Sequence, residues 1–221
     1  MEINNHNLKP YFHNIRWEMV VYIPDSAKRI LDVGCYSGAF GELLKKNKSL
    51  EIWGIEPNIE ASRDAEKVLD RVICGYFTKE LNLPDSYFDV IVMNDVLEHM
   101  IDPWAALELA KKKLDPNGRI IISLPNIRHI DNLIHLFIDQ DFRYELNGIR
   151  DKTHLRFFTK KSAIRLINNC GFEIEKIEGI NEKWWTNSII RRLAYRIFHK
   201  NLDDTKYIQF AFVIKKSVQI N

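Results

Sequence analysis

A chain of 221 residues, 46% of them hydrophobic and 11% aromatic, can bury one large core, and its 32 Lys and Arg against 30 Asp and Glu leave a formal net charge of only +2. That balance argues against a nucleic-acid partner held mainly through phosphates. No apolar run approaches the ~20 residues that cross a bilayer, and no charged-then-apolar signal pattern opens the chain. Three scattered cysteines, Cys35, Cys74 and Cys170, form no CxxC, which fits a reducing cytoplasm and neither disulfides nor zinc.

Met1 to Asn7 is polar and expected to fray. Phe12, Ile15, Met19 and Tyr22 then recur at helical spacing up to Pro24, which predicts a lead-in helix over residues 9–24. An apolar run from Arg29 to Val33 stops at Gly34, and a helical stretch follows from Phe40 to Lys46. Strand, glycine turn and helix open a nucleotide-binding βαβ unit, where glycine lets a ligand lie on bare backbone and helix-start amides favour a polar or anionic group. A second apolar run, Leu50 to Ile55, ends in Glu56, roughly twenty residues beyond Asp32, where a carboxylate accepts from both hydroxyls of a ribose. Tyr36 occupies the place of a second glycine, so the loop is not a dinucleotide fingerprint.

Helical character returns over Asn58 to Leu69, a short strand over Arg71 to Cys74, and a buried strand over Phe88 to Met93. Asn94 to Met100 follows at the strand's carboxyl end, where open α/β sheets bind ligands. Asp102-Pro103 starts a helix to Leu114 with Trp104, Leu107, Ala110 and Leu114 on its core face, and Arg119 to Leu124 is a fifth strand. Residues 125–158 read as a lid-like insertion: an amphipathic helix over Asp131 to Ile138, with Leu133, Ile134, Phe137 and Ile138 inward, then a charged binding loop. Thr159 caps a helix ending at Gly171, and Phe172 to Ile177 and Lys206 to Ile214 form a closing antiparallel pair. Between them, residues 184–200 carry Trp184-Trp185 and a basic amphipathic helix with Ile189, Leu193 and Ile197 on one face and Arg191, Arg192, Arg196 and Lys200 around it. Such a helix packs on the core, forms a dimer contact, or meets an anionic membrane or lipid-linked acceptor.

Asp32-Val33-Gly34-Cys35-x-x-Gly38, followed by Gly54-Ile55-Glu56-Pro57, resembles motifs I and II of class I S-adenosylmethionine (SAM)-dependent methyltransferases. With Tyr11-Phe12-x-Asn14-Ile15-Arg16, Asn94 to His99, Asp102-Pro103-Trp104, Leu124-Pro125-Asn126 and Gly148 to Thr159 in order, the chain is similar to bacterial ubiquinone-type enzymes of the methyltransferase-11, -12 and -23 kind. Many of these are associated with glycosyltransferases in surface-polysaccharide synthesis.

The resemblance implies a single α/β domain over 1–221, a Rossmann-like seven-stranded, mostly parallel sheet with an antiparallel last strand, in the cytoplasm or at the inner membrane face. It implies SAM as cofactor, S-adenosylhomocysteine as product and no metal. The cofactor would be held by Tyr11 and Arg16 over its methionine end, by Asp32, Gly34, Cys35, Tyr36 and Gly38, and by Glu56 and Pro57. Tyr76 or Phe77 would stack on the adenine, with Asn94, Asp95 and Val96 at the cofactor edge. His99, Asn126, Tyr144, Asp151, His154, Arg156 and Trp184 would meet the acceptor. A hydroxyl acceptor needs its proton removed, and His154 is the first candidate, its tautomer held by Asp151, with His99 the second. O-methylation of a sugar or sugar-lipid precursor is the leading function. A small aromatic or quinone-like acceptor is the alternative, as is a non-catalytic partner of a glycosyltransferase.

Overall fold

Two largely buried central strands organise the chain. β1 (Arg29–Val33) and β4 (Phe88–Asn94) are buried almost throughout, as strands covered on both faces must be. They pair in parallel, with Leu31 opposite Ile91. The computed structural model describes residues 15–46, 48–182 and 202–217. Within them, β2 (Glu51–Glu56), β3 (Arg71–Cys74), β5 (Leu114–Pro125), β6 (Phe172–Glu182) and β7 (Tyr207–Lys216) complete one seven-stranded sheet in the order β3-β2-β1-β4-β5-β7-β6. The first five strands run parallel, and β7 lies antiparallel between β5 and β6. Strand order reverses between β1 and β4, the switch point at which open α/β sheets form a ligand crevice.

Helices α1 (Ala39–Lys45), α2 (Ile59–Ala65), α3 (Pro103–Lys113), α4 (Ile130–Phe137) and α5 (Lys160–Asn169) follow the strands. Their starts are set by local chemistry. Asp102 accepts from Ala105 N at 3.0 Å with Pro103 in the first turn, and Thr159 and Ser162 form a reciprocal capping box. One core cluster packs Leu31, Phe88, Met93, Leu107 and Leu114 against Phe212 of β7. No helix among the described residues is long and apolar enough to cross a membrane.

Three expected elements differ. The described part of the lead-in is a 3₁₀ helix, Trp17–Tyr22, because its two buried residues, Met19 and Tyr22, stand three apart, one turn of the tighter helix. Trp104 is half-exposed; α3 turns Ala106, Leu107 and Ala110 inward instead, and Leu114 begins β5. In α4, Phe137 and Ile138 face solvent. Buried Asn132 fixes that helix by accepting from Arg150 Nη1 at 2.7 Å and donating to the Ile127 carbonyl at 3.2 Å. Phe137, five residues on, then points about 140° away. The basic helix of 189–200 and the residues Tyr11 and Trp184 lie outside the described residues.

Candidate active site

The loop after β1 turns at Gly34, where φ is +74°, and Gly34 N donates to the Ile55 carbonyl at 2.8 Å. A Cβ at Gly34 would stand 2.7 Å from Val96 Cγ2, so only bare backbone lets the loops after β1 and β4 meet. Glu56, at the end of β2, accepts from Tyr36 N at 2.9 Å and Asn58 N at 2.8 Å, one donor on each oxygen. Each oxygen keeps acceptor capacity for a ligand. Asp32 is buried beside it, and burial, then the Glu56 charge, pushes its pKa up to about 7. Burial likewise raises the Cys35 thiol. At the end of β4, buried Asn94 Oδ1 has no hydrogen-bond partner.

These groups line one cleft of about 1630 Å³, which takes in every expected cofactor residue of the described part except Gly38. Gly38 serves packing: at φ +80° it caps α1, and a Cβ there would stand 2.7 Å from Val68 Cγ2 and 3.2 Å from Ala65 Cα. Tyr76 stands exposed at the rim, whereas Phe77 is packed into the core. Arg16 lines the cleft, but its guanidinium is engaged by Asp95, by Glu18 at 2.6 Å and by Gln209 at 3.1 Å. Asp95, left-handed at φ 53°, also accepts from Ser123 Oγ at 2.9 Å and Gln209 Nε2 at 2.7 Å. The arginine expected to face the cofactor carboxylate is thus tied into a protein network.

Past Asp95, a single 3₁₀ turn, Leu97–His99, carries Glu98 inward and His99 to the cleft. The Glu98 carbonyl accepts from Leu155 N at 2.8 Å and Arg156 N at 3.0 Å, clasping the insertion onto this turn. His154 is thereby brought beside His99, ring centroids 4.7 Å apart and planes at 71°. His154 Nδ1 lies 3.1 Å from the Ile149 carbonyl, so Nδ1 carries the proton and Nε2 is bare in the neutral ring. Burial, then the charge of His99, lowers the His154 pKa.

The Thr153 hydroxyl donates to Asp151 at 2.7 Å, so both Thr153 oxygens facing His99 Nδ1, at 3.2 and 3.3 Å, are acceptors. His99 Nδ1 therefore also carries its proton. Asp151 was expected to hold the tautomer of His154; the Ile149 carbonyl does so, and Asp151 acts on His99 through Thr153.

Three other expected acceptor residues lie away from the cleft. Asn126 is fully buried, donating to the Asp204 and Tyr207 carbonyls and accepting from Arg128 N. Tyr144 stacks edge-on against Phe142 and is exposed. Arg156 donates to the Ile101 and Leu155 carbonyls. Sequence reasoning passed over Glu98 and Gln209. The acidic residue directly before His99, in the polar segment after a buried strand, was the available sign for the first; Gln209 offered none.

Residues 12–177 match the model of a methyltransferase domain family. The chain belongs to this family. Ubiquinone biosynthesis O-methyltransferase of Histophilus somni (strain 2336) is 29% identical to it over 222 residues, 90% of this chain and 91% of that one. 27-O-demethylrifamycin SV methyltransferase of Amycolatopsis mediterranei (strain S699) is 33% identical over 101 residues, 42% of this chain and 37% of the other. A SAM-dependent methyltransferase from Archaeoglobus fulgidus shares the fold, with a TM-score of 0.67 over 91% of both chains at 23% identity.

The cofactor of the methyltransferase is SAM. Its site fits that group: bare backbone at Gly34, spare acceptor capacity on Glu56, a buried Asp32 and the unpartnered Asn94 Oδ1. Glu56 and Asn94 offer acceptors and Asp32 a carboxyl that ionises near pH 7, matching a ligand whose polar groups include two ribose hydroxyls, amino groups and a cationic sulfur.

Proposed function

We infer that the enzyme methylates a hydroxyl oxygen on a small, largely apolar, ring-bearing acceptor of the aromatic or quinone-like kind. One observation carries this reading: the cofactor cradle and the residues His99 and His154 line the same cleft. At about 1630 Å³ it exceeds the roughly 300–1,000 Å³ of a pocket built for one ligand. Around the histidines its wall carries the apolar side chains of Met100, Ile101, Ile149 and Leu155 together with Glu98, Asp102 and Asn147. The Histophilus somni and Amycolatopsis mediterranei relatives are both named for O-methylation, neither for a sugar acceptor.

SAM supplies a methyl group on a sulfonium, so the protein's task is alignment and removal of the acceptor's proton. Glu56 would accept from the ribose hydroxyls, Asp32 would serve the amino group of the methionine end, Gly34 would give the backbone surface and Tyr76 would cover the adenine. His99 and His154, which line the same cleft, would stand beside the acceptor hydroxyl as it becomes nucleophilic. Incubation with labelled SAM and two acceptor panels, prenylated phenols or catechols and nucleotide or lipid-linked sugars, tests the reading. Methyl transfer to the phenols is expected. Transfer confined to the sugars would reinstate the sugar acceptor, and cofactor binding without transfer to either would favour the non-catalytic partner.

A further inference from the structure

Glu98 is 1% exposed, and neither carboxylate oxygen has a hydrogen-bond partner. A buried carboxylate left so is costly, and a native structure keeps one where something else satisfies it. One oxygen of Glu98 and one nitrogen each of His99 and His154 lie within 4.8 Å of one another. In both rings Nδ1 is engaged by oxygen acceptors, which leaves Nε2 as the free atom. Three atoms able to ligate a metal, from two separate segments, thus converge on the cleft.

We propose that Glu98, His99 and His154 hold a first-row divalent cation in the acceptor half of the cleft. Two neutral imidazoles and one carboxylate form a ligand set suited to zinc, cobalt, manganese or iron, with at least one coordination position left open. The outer contacts have the form such sites use. His154 donates its other N–H to a backbone carbonyl, and His99 is oriented by Thr153, which Asp151 holds in turn. Magnesium is a poorer match, since it prefers oxygen ligands. The wall of the cleft leaves the open position to the acceptor hydroxyl. There the cation lowers the hydroxyl's pKa, the O–H bond breaks with its proton passing to water, and the oxygen keeps the electron pair for the methyl group. This role rests on the proposed hydroxyl acceptor; the cation site itself does not.

The test uses the full chain, stripped with a chelator and titrated with Co²⁺ in the absence of any acceptor. Visible absorption bands saturating at one Co²⁺ per chain are expected, displaced by Zn²⁺. Glu98→Gln, His99→Ala and His154→Ala should each weaken Co²⁺ binding by tenfold or more. Thr153→Val should weaken it less, through the lost orientation of His99. Calorimetry with S-adenosylhomocysteine confirms that each variant is folded, because the cradle lies apart from the three ligands. Wild-type protein that binds no Co²⁺, or folded variants that bind it as the wild type does, overturns the proposal and leaves the cluster to share a proton. Since the probe is Co²⁺ alone, the outcome is independent of which acceptor is methylated.

Discussion

Two carboxylates in the cradle do different work because their surroundings differ. Glu56 is held by two backbone amides and presents its remaining lone pairs to the cleft. Glu56→Ala removes a charged acceptor of two hydroxyls and should weaken S-adenosylhomocysteine binding by ~1.5–3 kcal/mol, read by calorimetry. Unchanged affinity would remove Glu56 from the cofactor site. Asp32, by contrast, is an acid that burial and Glu56 keep protonated up to about pH 7. Its pKa in the fold lies above its unfolded value near 3.8. The folded state therefore binds the extra proton between those values, and its stabilising contribution is lost as pH rises through them. Ligand-free Asp32→Asn should show a shallower downward slope in urea unfolding between pH 4 and pH 8, the remainder belonging to buried Glu98, whose pKa is raised to about 8. Parallel slopes in the two proteins would refute the assignment.

At the scale of elements, the insertion between β5 and α5 joins the acceptor groups to the cradle. Its internal anchor is Arg150, buried, bonded to Asn132 of α4, to the Arg143 carbonyl at 3.2 Å and paired with Glu145. Arg150→Met leaves the Asn132 oxygen without its donor and should destabilise the protein by about 1–3 kcal/mol. Because Arg150 and His154 sit in the same segment, kcat/KM for the acceptor should fall while S-adenosylhomocysteine affinity holds within about twofold. Equal losses in both would mean that the segment also shapes the cradle. What the sequence disclosed follows the same division. The cradle was legible because a strand, a glycine turn and an acid at the next strand's end are local signals of fixed spacing, and α5 because its cap is four residues long. Glu98 was not, since its burial depends on the clasp that Leu155 and Arg156 place on its carbonyl, more than fifty residues away. The outward face of α4 was missed because a single Asn132 hydrogen-bond pair, not apolar periodicity, sets its rotation.

The whole sheet converges on the cleft at the β1/β4 switch point, and the antiparallel end reaches it too. Gln209 of β7 bonds both Asp95 and Arg16, so the last strand braces the turn that follows β4. A ligand seated there contacts loops from opposite halves of the sheet, and cofactor binding should stabilise the entire fold in one cooperative transition. At one hundred times its dissociation constant, S-adenosylhomocysteine contributes about 2.7 kcal/mol. For a chain of this size that is a rise in Tm of roughly 5–11 °C. Gly34→Val should abolish the shift, because the new side chain enters the 2.7 Å gap to Val96 at a positive φ. Gly34→Ala, the smaller change, should reduce it and retain the ligand-free transition. Scanning calorimetry with and without ligand distinguishes the outcomes. Two separate transitions, only one of them moved by the ligand, would show that the halves of the sheet unfold independently. A full shift in Gly34→Val would place the cofactor away from the β1 turn.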